Sequence, residues 1–470
     1  MKMYIAGEWI DTEDKIEVIN PYNGEVVDTV PKATPPEVEK ALASAARGAQ
    51  VMAELPAYQR FTILMKAAGL LMERQEEFAR LISQESGKAL WESRLEVVRA
   101  AETIELSAEE AKRIRGETIP LDAASGGKGK FGFSLRVPCG VVVAISPFNF
   151  PLNLLCHKVG PGLAAGNAVI AKPPSDTPLS GLRFTELLLE AGLPPEGIQC
   201  ITGPGGSVGE QLCKDHRVRK ISFTGSAAVG ERICQVAGIK KVTMELGSNS
   251  PLIIMEDADL EEVAKATAAT GYALAGQVCI STQRVLVNQR VYGDFLDALR
   301  PEAEAIVFGN PLEEATRMGP MIRESDAIRV ESWINKAVKG GAKLLTGGGR
   351  QGNLVTPTVV ADVDAKERIS CDELFGPAVA VTPFEDIDHA IAMANDSKYG
   401  LSAGIFTRNL DWAMKFVRQV HSGNLMVNWG PQWRVDLMPY GGLKQSGFGK
   451  EGPKYAVQEM TELKMVVFHL

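Results

Sequence analysis

The rhythm of apolar and polar positions changes along the chain, and each change predicts a different kind of element. From Met3 to Val30 short apolar runs are separated by turn signals at Ala6-Gly7 and Asn23-Gly24, which predicts short strands and a hairpin. From Pro35 to Leu55, Ala57 to Gln84 and Trp91 to Arg115 apolar residues recur at helical spacing, punctuated by Gly87 and by Gly116 to Pro120. Ala123 to Lys130 is turn-rich and polar, a connector between extended segments. Beyond Gly140 strands and helices alternate. Strands are expected at Val141 to Ile145, Ala168 to Ala171, Ile198 to Ile201, Lys220 to Phe223 and Lys241 to Leu246. Helices are expected at Leu154 to Ala165, Leu179 to Ala191, Ser207 to Cys213 and Ala227 to Val236. That alternation predicts a parallel sheet covered by helices on both faces. A second series runs from Pro251 to about Asn428, with strands at Leu252 to Met255, Arg284 to Asn288, Val355 to Val360, Ala378 to Phe384, Ala403 to Phe406 and Asn424 to Val427. The expected fold class is therefore α/β, with two units joined near Gly247 to Ser250 and no internal repeat or heptad.

Length agrees with that division, because 470 residues exceed one ordinary core and fit two or three domains. With 45% hydrophobic and 23% charged residues, the balance is that of a soluble globular protein. A net charge of -8 argues against nucleic acid or an anionic membrane surface as the main partner. Among the most apolar stretches, Val141 to Leu155 is broken by Pro147, Asn149 and Pro151 and is too short and too polar to span a bilayer. Met1-Lys2-Met3 runs straight into a strand-like Tyr4-Ile5-Ala6, without the pattern of a secretory signal. Seven cysteines form an odd set without a Cys-x-x-Cys framework, and five histidines are scattered. That usage favours reduced thiols in a cytoplasmic setting and offers no metal-ligand spacing.

Candidate chemistry centres on Gly276-Gln277-Val278-Cys279-Ile280-Ser281, between a small-residue helical pattern (Ala264 to Ala275) and a β-branched run (Val285, Val287). A cysteine at such a boundary can reach substrate, and nearby backbone N–H groups or positive helix ends lower a thiol's pKa. The competing reading is a small buried hydrophobe, the commoner fate of cysteine. Open parallel sheets bind ligands beyond the carboxyl ends of their strands, so residues at those ends are candidates for ligand contacts. Ser146-Pro147-Phe148-Asn149-Phe150-Pro151 follows the first strand and offers the Asn149 amide as an oxyanion donor or as a turn cap. Lys172, followed by Pro173-Pro174-Ser175, ends the second strand as a cation suited to ribose or phosphate, or as a solvated lysine. Phe223-Thr224-Gly225-Ser226-Ala227-Ala228-Val229-Gly230 ends another strand and opens a helix whose N–H groups suit a pyrophosphate. Gly203-Pro204-Gly205-Gly206 lacks the glycine spacing of a dinucleotide fingerprint and reads as a turn. Glu245, in Met244-Glu245-Leu246-Gly247, ends an apolar strand where burial would raise its pKa toward that of a general base, although strand-end glutamates are commonly solvated caps.

Together these stretches closely resemble the aldehyde dehydrogenase superfamily, over essentially the whole chain and in the family's order. Asp372-Glu373-Leu374-Phe375-Gly376-Pro377 and Met438-Pro439-Tyr440-Gly441-Gly442 complete the set of motifs. The resemblance implies that Cys279 is the nucleophile, Glu245 the general base, and Asn149 an oxyanion donor with the Cys279 backbone N–H. It implies an NAD or NADP cofactor held by Ser146, Pro147, Phe148, Lys172, Ser175, Gly225, Ser226, Val229, Leu246, Glu373 and Phe375. Lys172 would meet the adenosine ribose, Ser226 the pyrophosphate and Glu373 the nicotinamide ribose. It further implies a Rossmann-type cofactor domain (1–116 and 139–248), an α/β catalytic domain (249–438) and a β oligomerisation arm (117–138 and 439–470), hence a homodimer or homotetramer. The chain departs from common family residues at Phe148, Ser175, Ser248 and Asn249, none of which removes a catalytic group.

The implied reaction is addition of Cys279 to an aldehyde, hydride loss, and hydrolysis of the thioester with Glu245 as base. A coenzyme A-acylating enzyme and a catalytically silent relative remain alternatives. Val278, where handlers of phosphorylated aldehydes often carry arginine, argues against a phosphate-bearing substrate. The stretch from Pro147 to Lys158, with Trp433-Arg434-Val435-Asp436, looks most like the lactaldehyde and glyceraldehyde dehydrogenase branch. In that reading His157 and Arg434 would line the tunnel mouth and bind a polar group of a small aldehyde. A helix-packed histidine and a surface arginine are the alternatives.

Overall fold

The computed structural model describes residues 1–470. Its first sheet has a parallel centre in the spatial order Ile198–Cys200, Ala168–Lys172, Val141–Ile145, Val218–Thr224, Lys241–Glu245. Every residue of Ala168–Lys172 is buried and only Ile145 of Val141–Ile145 reaches half-burial, as expected for strands covered on both faces. Antiparallel strands close the two edges. Met3–Ile5 pairs with Ile198–Cys200 on one side, and Gly447–Phe448 pairs with Lys241–Glu245 on the other. Chain order reverses between Val141–Ile145 and Val218–Thr224, which opens a crevice at their carboxyl ends.

The second sheet runs in the order Lys343–Thr346, Thr358–Ala361, Ala378–Phe384, Arg284–Asn288, Pro251–Ile254, Ser402–Phe406, Asn424–Val427, parallel except at the Lys343–Thr346 edge. After Val427 the chain turns back at Asn428 (φ 56°), so that Ser402 Oγ donates to Pro431 O at 2.8 Å. That reversal brings residues 432–440 to the amino ends of the second sheet's strands, where they meet the first sheet's carboxyl ends. No helix is long and apolar enough to cross a membrane.

Three readings of the sequence need correction. Ala57 to Gln84 is two helices, Ala57–Glu73 and Gln75–Ser86, broken at Arg74 (φ -108°, ψ 22°), whose guanidinium reaches the Glu190 carboxylate at 2.7 Å. The turn expected around Gly205-Gly206 is a wide helical turn over Gly205–Gly209 that leads into the helix Glu210–Lys214. Residues 439–470 do not all belong to an arm. Gly447–Phe448 completes the first sheet, and Pro453–Glu459 places Val457 in the same apolar cluster as Ala100 and Val159. What projects is a smaller sheet, in which Thr461–His469 pairs along its whole length with Lys130–Pro138 and the latter pairs with Thr118–Ile119. Its outer strand leaves Leu463, Met465, Val467 and Phe468 exposed.

Candidate active site

Cys279 stands in the loop between the helix Leu260–Tyr272 and the strand Arg284–Asn288. The chain leaves the helix through Leu274 (φ 48°, ψ 41°), Ala275 (φ 52°, ψ 39°) and Gly276 (φ 67°), all left-handed. Gly276 is required there, because a Cβ would sit 2.1 Å from Gly376 O. Leu274, Val278, Ile280, Leu401 and Tyr440 pack into an apolar wall with Phe150 and Cys279 against it, and the Cys279 sulfur lies 3.3 Å from the Tyr440 hydroxyl. The expectation that helix ends would lower this thiol's pKa is reversed. Burial pushes the thiol up to about 12, and the preceding helix directs its C-terminal carbonyls, the negative end of its dipole, at this loop. Ser281 Oγ donates to two of them, Thr270 O and Gly271 O, at 3.2 Å.

The first sheet brings Asn149 and Glu245 to the same place from its strand ends. Asn149 is 4% exposed, and its Nδ2 donates to Gln277 O at 2.8 Å, tying the oxyanion candidate to the nucleophile loop. The second amide hydrogen of Asn149 is free. Glu245 is buried with neither carboxyl oxygen bonded. Burial first, and the Glu451 charge second, push its carboxyl well above the usual range. Lys158 and Arg434 hold Glu451 ionised against the cost of burial; Lys158 Nζ donates to Glu451 at 2.6 Å and to Thr224 Oγ1 at 2.7 Å.

His157 and Arg434 do come together, inside a buried ionic chain. His157 Nε2 is 2.7 Å from Asp436 Oδ1, and Arg434 Nη2 lies 2.9 Å from that nitrogen and 3.1 Å from Nδ1. Arg434 also donates to Glu451 at 3.2 Å, and its guanidinium carbon lies 4.0 Å from the centre of the Tyr440 ring. Arg99 grips Asp436 at 2.9 Å from the helix Leu90–Ala111. The Arg434 Nε is buried without a hydrogen bond, 3.7 Å from Asp436 Oδ1. The reading of the sequence did not single out Arg99, Asp436 as an ion-pair partner, Glu451 or Tyr440. Lys158 and Tyr440 stood within quoted motifs, but Arg99 and Glu451 carry no motif signal.

Of the remaining candidates, Lys172 and Val229 line a cavity at the first sheet's carboxyl edge, and the others lie outside its lining. The cavity, of about 310 Å³, is walled by Ile145, Lys172, Phe223 and Val229, with Gly205 and Arg232, which the sequence reading did not assign to it. Lys172 is 3% exposed and donates only to Pro173 O, at 3.0 Å; burial lowers its pKa to about 8. Ser175 Oγ donates to Gly203 O at 3.2 Å. Ser226 stands exposed at the start of the helix Ala227–Ala237, and Gly225 lies under the Phe223 ring, where a Cβ would come within 2.5 Å. Ser146 Oγ is buried without a partner, and Pro147 is half-buried beside it. Phe148 meets Phe375 edge to face at 5.9 Å. Leu246 packs against Gly230, and Glu373 accepts from Ser248 N at 2.9 Å while burial raises its carboxyl to about 7.

Two largely parallel sheets thus meet at a cysteine with a buried unpaired carboxyl group and an amide donor near it and a groove along one strand edge, the arrangement an enzyme acting through a covalent adduct would need. A model of the Aldehyde dehydrogenase family matches residues 9–466, and the chain belongs to that family, as an oxidoreductase acting on aldehydes. It is 48% identical over 468 residues to a 3-sulfolactaldehyde dehydrogenase of Priestia aryabhattai, covering 100% of this chain and 98% of the relative. A lactaldehyde dehydrogenase of Methanococcus vannielii is 41% identical, covering 99% of this chain and 100% of the relative. Among solved structures, the glyceraldehyde-3-phosphate dehydrogenase GapN of Methanocaldococcus jannaschii, complexed with NADP, superposes with a TM-score of 0.94 at 36% identity, covering 98% of this chain and 100% of that one.

Proposed function

We propose that the protein oxidises a small polar aldehyde, of the lactaldehyde, glyceraldehyde or short semialdehyde type, to its carboxylate with NAD or NADP. The observation that carries this is Glu245, a buried carboxyl group with both oxygens unpaired whose charge acts on Cys279, in the loop that Asn149 holds through Gln277 O. The groove residues fit a dinucleotide. Ser146 Oγ is a buried orphan, Lys172 Nζ has no carboxylate partner, and Ser226 opens a helix whose N–H groups suit a pyrophosphate. When bound, the nicotinamide accepts the hydride.

The rest falls to this chain's side chains. Burial holds the Cys279 thiol neutral, and as its sulfur attacks the aldehyde carbon the thiol proton passes to solvent. The tetrahedral oxyanion takes the free Asn149 N–H and the Cys279 backbone N–H, each such donor contributing roughly 3 to 4 kcal/mol. Glu245, once ionised, draws a proton from the water that cleaves the thioester, and this favours a carboxylate product over transfer to coenzyme A. The Arg434 Nε, which makes no hydrogen bond and lies 3.7 Å from Asp436, on a guanidinium seated over Tyr440, is the donor for the substrate's polar group, with His157 beside it. Relatives named for 3-sulfolactaldehyde and lactaldehyde support a short 2-hydroxyaldehyde.

We further assign cofactor binding to 1–116 and 139–248, catalysis to 249–438, and oligomerisation to 117–138 with Thr461–His469. The exposed apolar residues of that last strand suit a homodimer or homotetramer, and the free state of all seven cysteines suits a cytoplasmic setting.

The test is kcat/KM for lactaldehyde, 3-sulfolactaldehyde, propanal, benzaldehyde and glyceraldehyde 3-phosphate, with and without coenzyme A, repeated for Arg434→Ala. The expected outcome is preference for the hydroxyaldehydes over propanal, a free acid as product, and a preference that Arg434→Ala cuts about tenfold. An acyl-coenzyme A product, or a ratio unmoved by Arg434→Ala, would overturn the corresponding part.

A further inference from the structure

The left-handed turn before Cys279 places two consecutive non-glycine residues, Leu274 and Ala275, in a conformation that persists only where the surroundings over-determine it. Part of what holds it is internal. Gln277 donates to Leu274 O twice, from its backbone N at 3.0 Å and from Nε2 at 3.1 Å, and Ile322 N donates to Gln277 Oε1 at 3.0 Å. The Leu274 N–H has no partner in its own segment, because the extended backbone of Ala273 (φ -53°, ψ 135°) turns it out of the helix. It donates instead to Glu92 Oε1 at 2.9 Å, on the first turn of the helix Leu90–Ala111 and far away in the chain. Glu92 Oε2 is buried without a hydrogen bond, and apart from Leu274 N–H the carboxyl group feels only Ala89 N–H at the start of its own helix and the charges of Lys88 and Glu96.

Glu92 belongs to a stripe with Lys88 and Glu96, spaced four residues apart. Lys88 and Glu96 form a fully buried ion pair, and Lys88 Nζ sits 3.7 Å above the Phe150 ring, next to Asn149. Glu96 Oε1 accepts from Leu152 N at 3.0 Å and Asn153 N at 3.1 Å, which seats the helix that follows Asn149. One face of one helix therefore grips both the segment that carries Asn149 and the turn that carries Cys279.

We infer that Glu92 is a positioning residue for the nucleophile: its carboxyl group clamps Leu274 N–H and so holds the strained turn that presents Cys279 to Tyr440 and Gln277 O to Asn149. This rests on Cys279 being the nucleophile, as proposed above. Burial raises the Glu92 carboxyl to about 7, so its neutral form is populated at working pH and glutamine is a fair isostere.

The test compares Glu92→Ala, Glu92→Gln and Glu92→Asp in the full chain by steady-state kinetics, melting temperature and the rate at which iodoacetamide alkylates Cys279, located by mass spectrometry. Glu92→Ala is expected to lose roughly 10²-fold in kcat, the scale of a misplacement of about an ångström, with the KM for cofactor unchanged and the Cys279 alkylation rate altered. Glu92→Gln, which keeps an acceptor for Leu274 N–H, is expected to restore most of kcat. Glu92→Asp withdraws the acceptor by one methylene and is expected to behave like alanine, which keeps the test open if Glu92→Ala does not fold. A kcat within about twofold of wild type in Glu92→Ala or Glu92→Asp, or equal damage from Glu92→Gln, overturns the inference. Turnover retained by Cys279→Ala overturns instead the reading on which it rests.

Discussion

The first sheet presents the carboxyl ends of its strands to the site, and the second presents its amino ends. Ser146, Asn149, Lys172, Gly225 and Glu245 all follow or end strands of the first sheet, whereas Cys279, Glu373 and Phe375 all precede strands of the second. The difference is electrostatic. Carboxyl ends of parallel strands are where helices begin, so the first sheet offers N–H groups and the positive ends of dipoles, as at Ser226. Amino ends are where helices finish, so the second sheet turns carbonyls toward the Cys279 loop, and Ser281 and Thr282 donate to those of Thr270 and Gly271. On the proposed roles, one side attracts a polyanion and the other carries a thiol that burial holds neutral. The strained turn at Leu274 and Ala275 belongs to the second side.

The strongest test of this division removes one group from each side. Cys279→Ala should cost at least about 10⁴-fold in kcat, the order seen when a covalent nucleophile is lost. Glu245→Gln should cost roughly 10²- to 10⁴-fold in steady-state turnover. It should still give a stopped-flow burst of reduced cofactor of about one per site, with a thioester on Cys279 visible by mass spectrometry. Full turnover in Glu245→Gln would mean that another group activates water.

A second test isolates the thiol. With burial holding Cys279 up near 12, the thiolate fraction of the cofactor-free enzyme lies far below saturation at neutral pH. The sign follows: the neutral form dominates below that value, and each unit of rising pH brings about tenfold more thiolate. Alkylation of Cys279 by iodoacetamide should therefore rise about a hundredfold from pH 7 to pH 9 without a plateau. A plateau near pH 7 would place a positive charge or a helix N-terminus beside Cys279 and erase the contrast between the two sides.

The same asymmetry explains what the sequence disclosed. Strands of both sheets were legible because their apolar runs are continuous, and Arg284–Asn288, Ala378–Phe384 and Asn424–Val427 fall where the pattern placed them. Residues on the carboxyl edge were legible too, since strand ends are the places where open sheets bind ligands. The second side was legible only through motif resemblance. Nothing in local spacing announces that Asn428 reverses the chain and carries Arg434 and Tyr440 back to Cys279. Pairings such as Arg99 with Asp436, or Lys158 with Glu451, join residues hundreds of positions apart and have no period to read. The break at Arg74 was missed because both flanking segments keep helical spacing across it, and a distant partner, Glu190, takes the arginine.

The smallest effect expected is on the choice of cofactor, and it probes the attractive side alone. The cavity beside Lys172 contains one carboxylate, Glu210, and Arg232 neutralises it through contacts of 2.8 and 3.1 Å, with Lys214 as a further partner. Glu210 is held down to about 2 by these partners, Arg232 first, so it stays ionised and paired. Ser175, close in sequence to Lys172, brings no negative charge of its own. A 2′-phosphate would thus meet a cation at Lys172 and no unpaired anion, so NADP should be accepted alongside NAD. Introducing one carboxylate should upset that balance without touching the chemistry. Ser175→Glu is expected to raise the KM for NADP about tenfold, equivalent to about 1.4 kcal/mol, while the KM for NAD moves less than about twofold and kcat stays unchanged. The effect should shrink in added salt, because the new charge would act across a solvent-accessible groove. Equal shifts for the two cofactors would mean that position 175 does not face the ribose. A fall in kcat would mean that the two sides of the site are less independent than their opposite polarity implies.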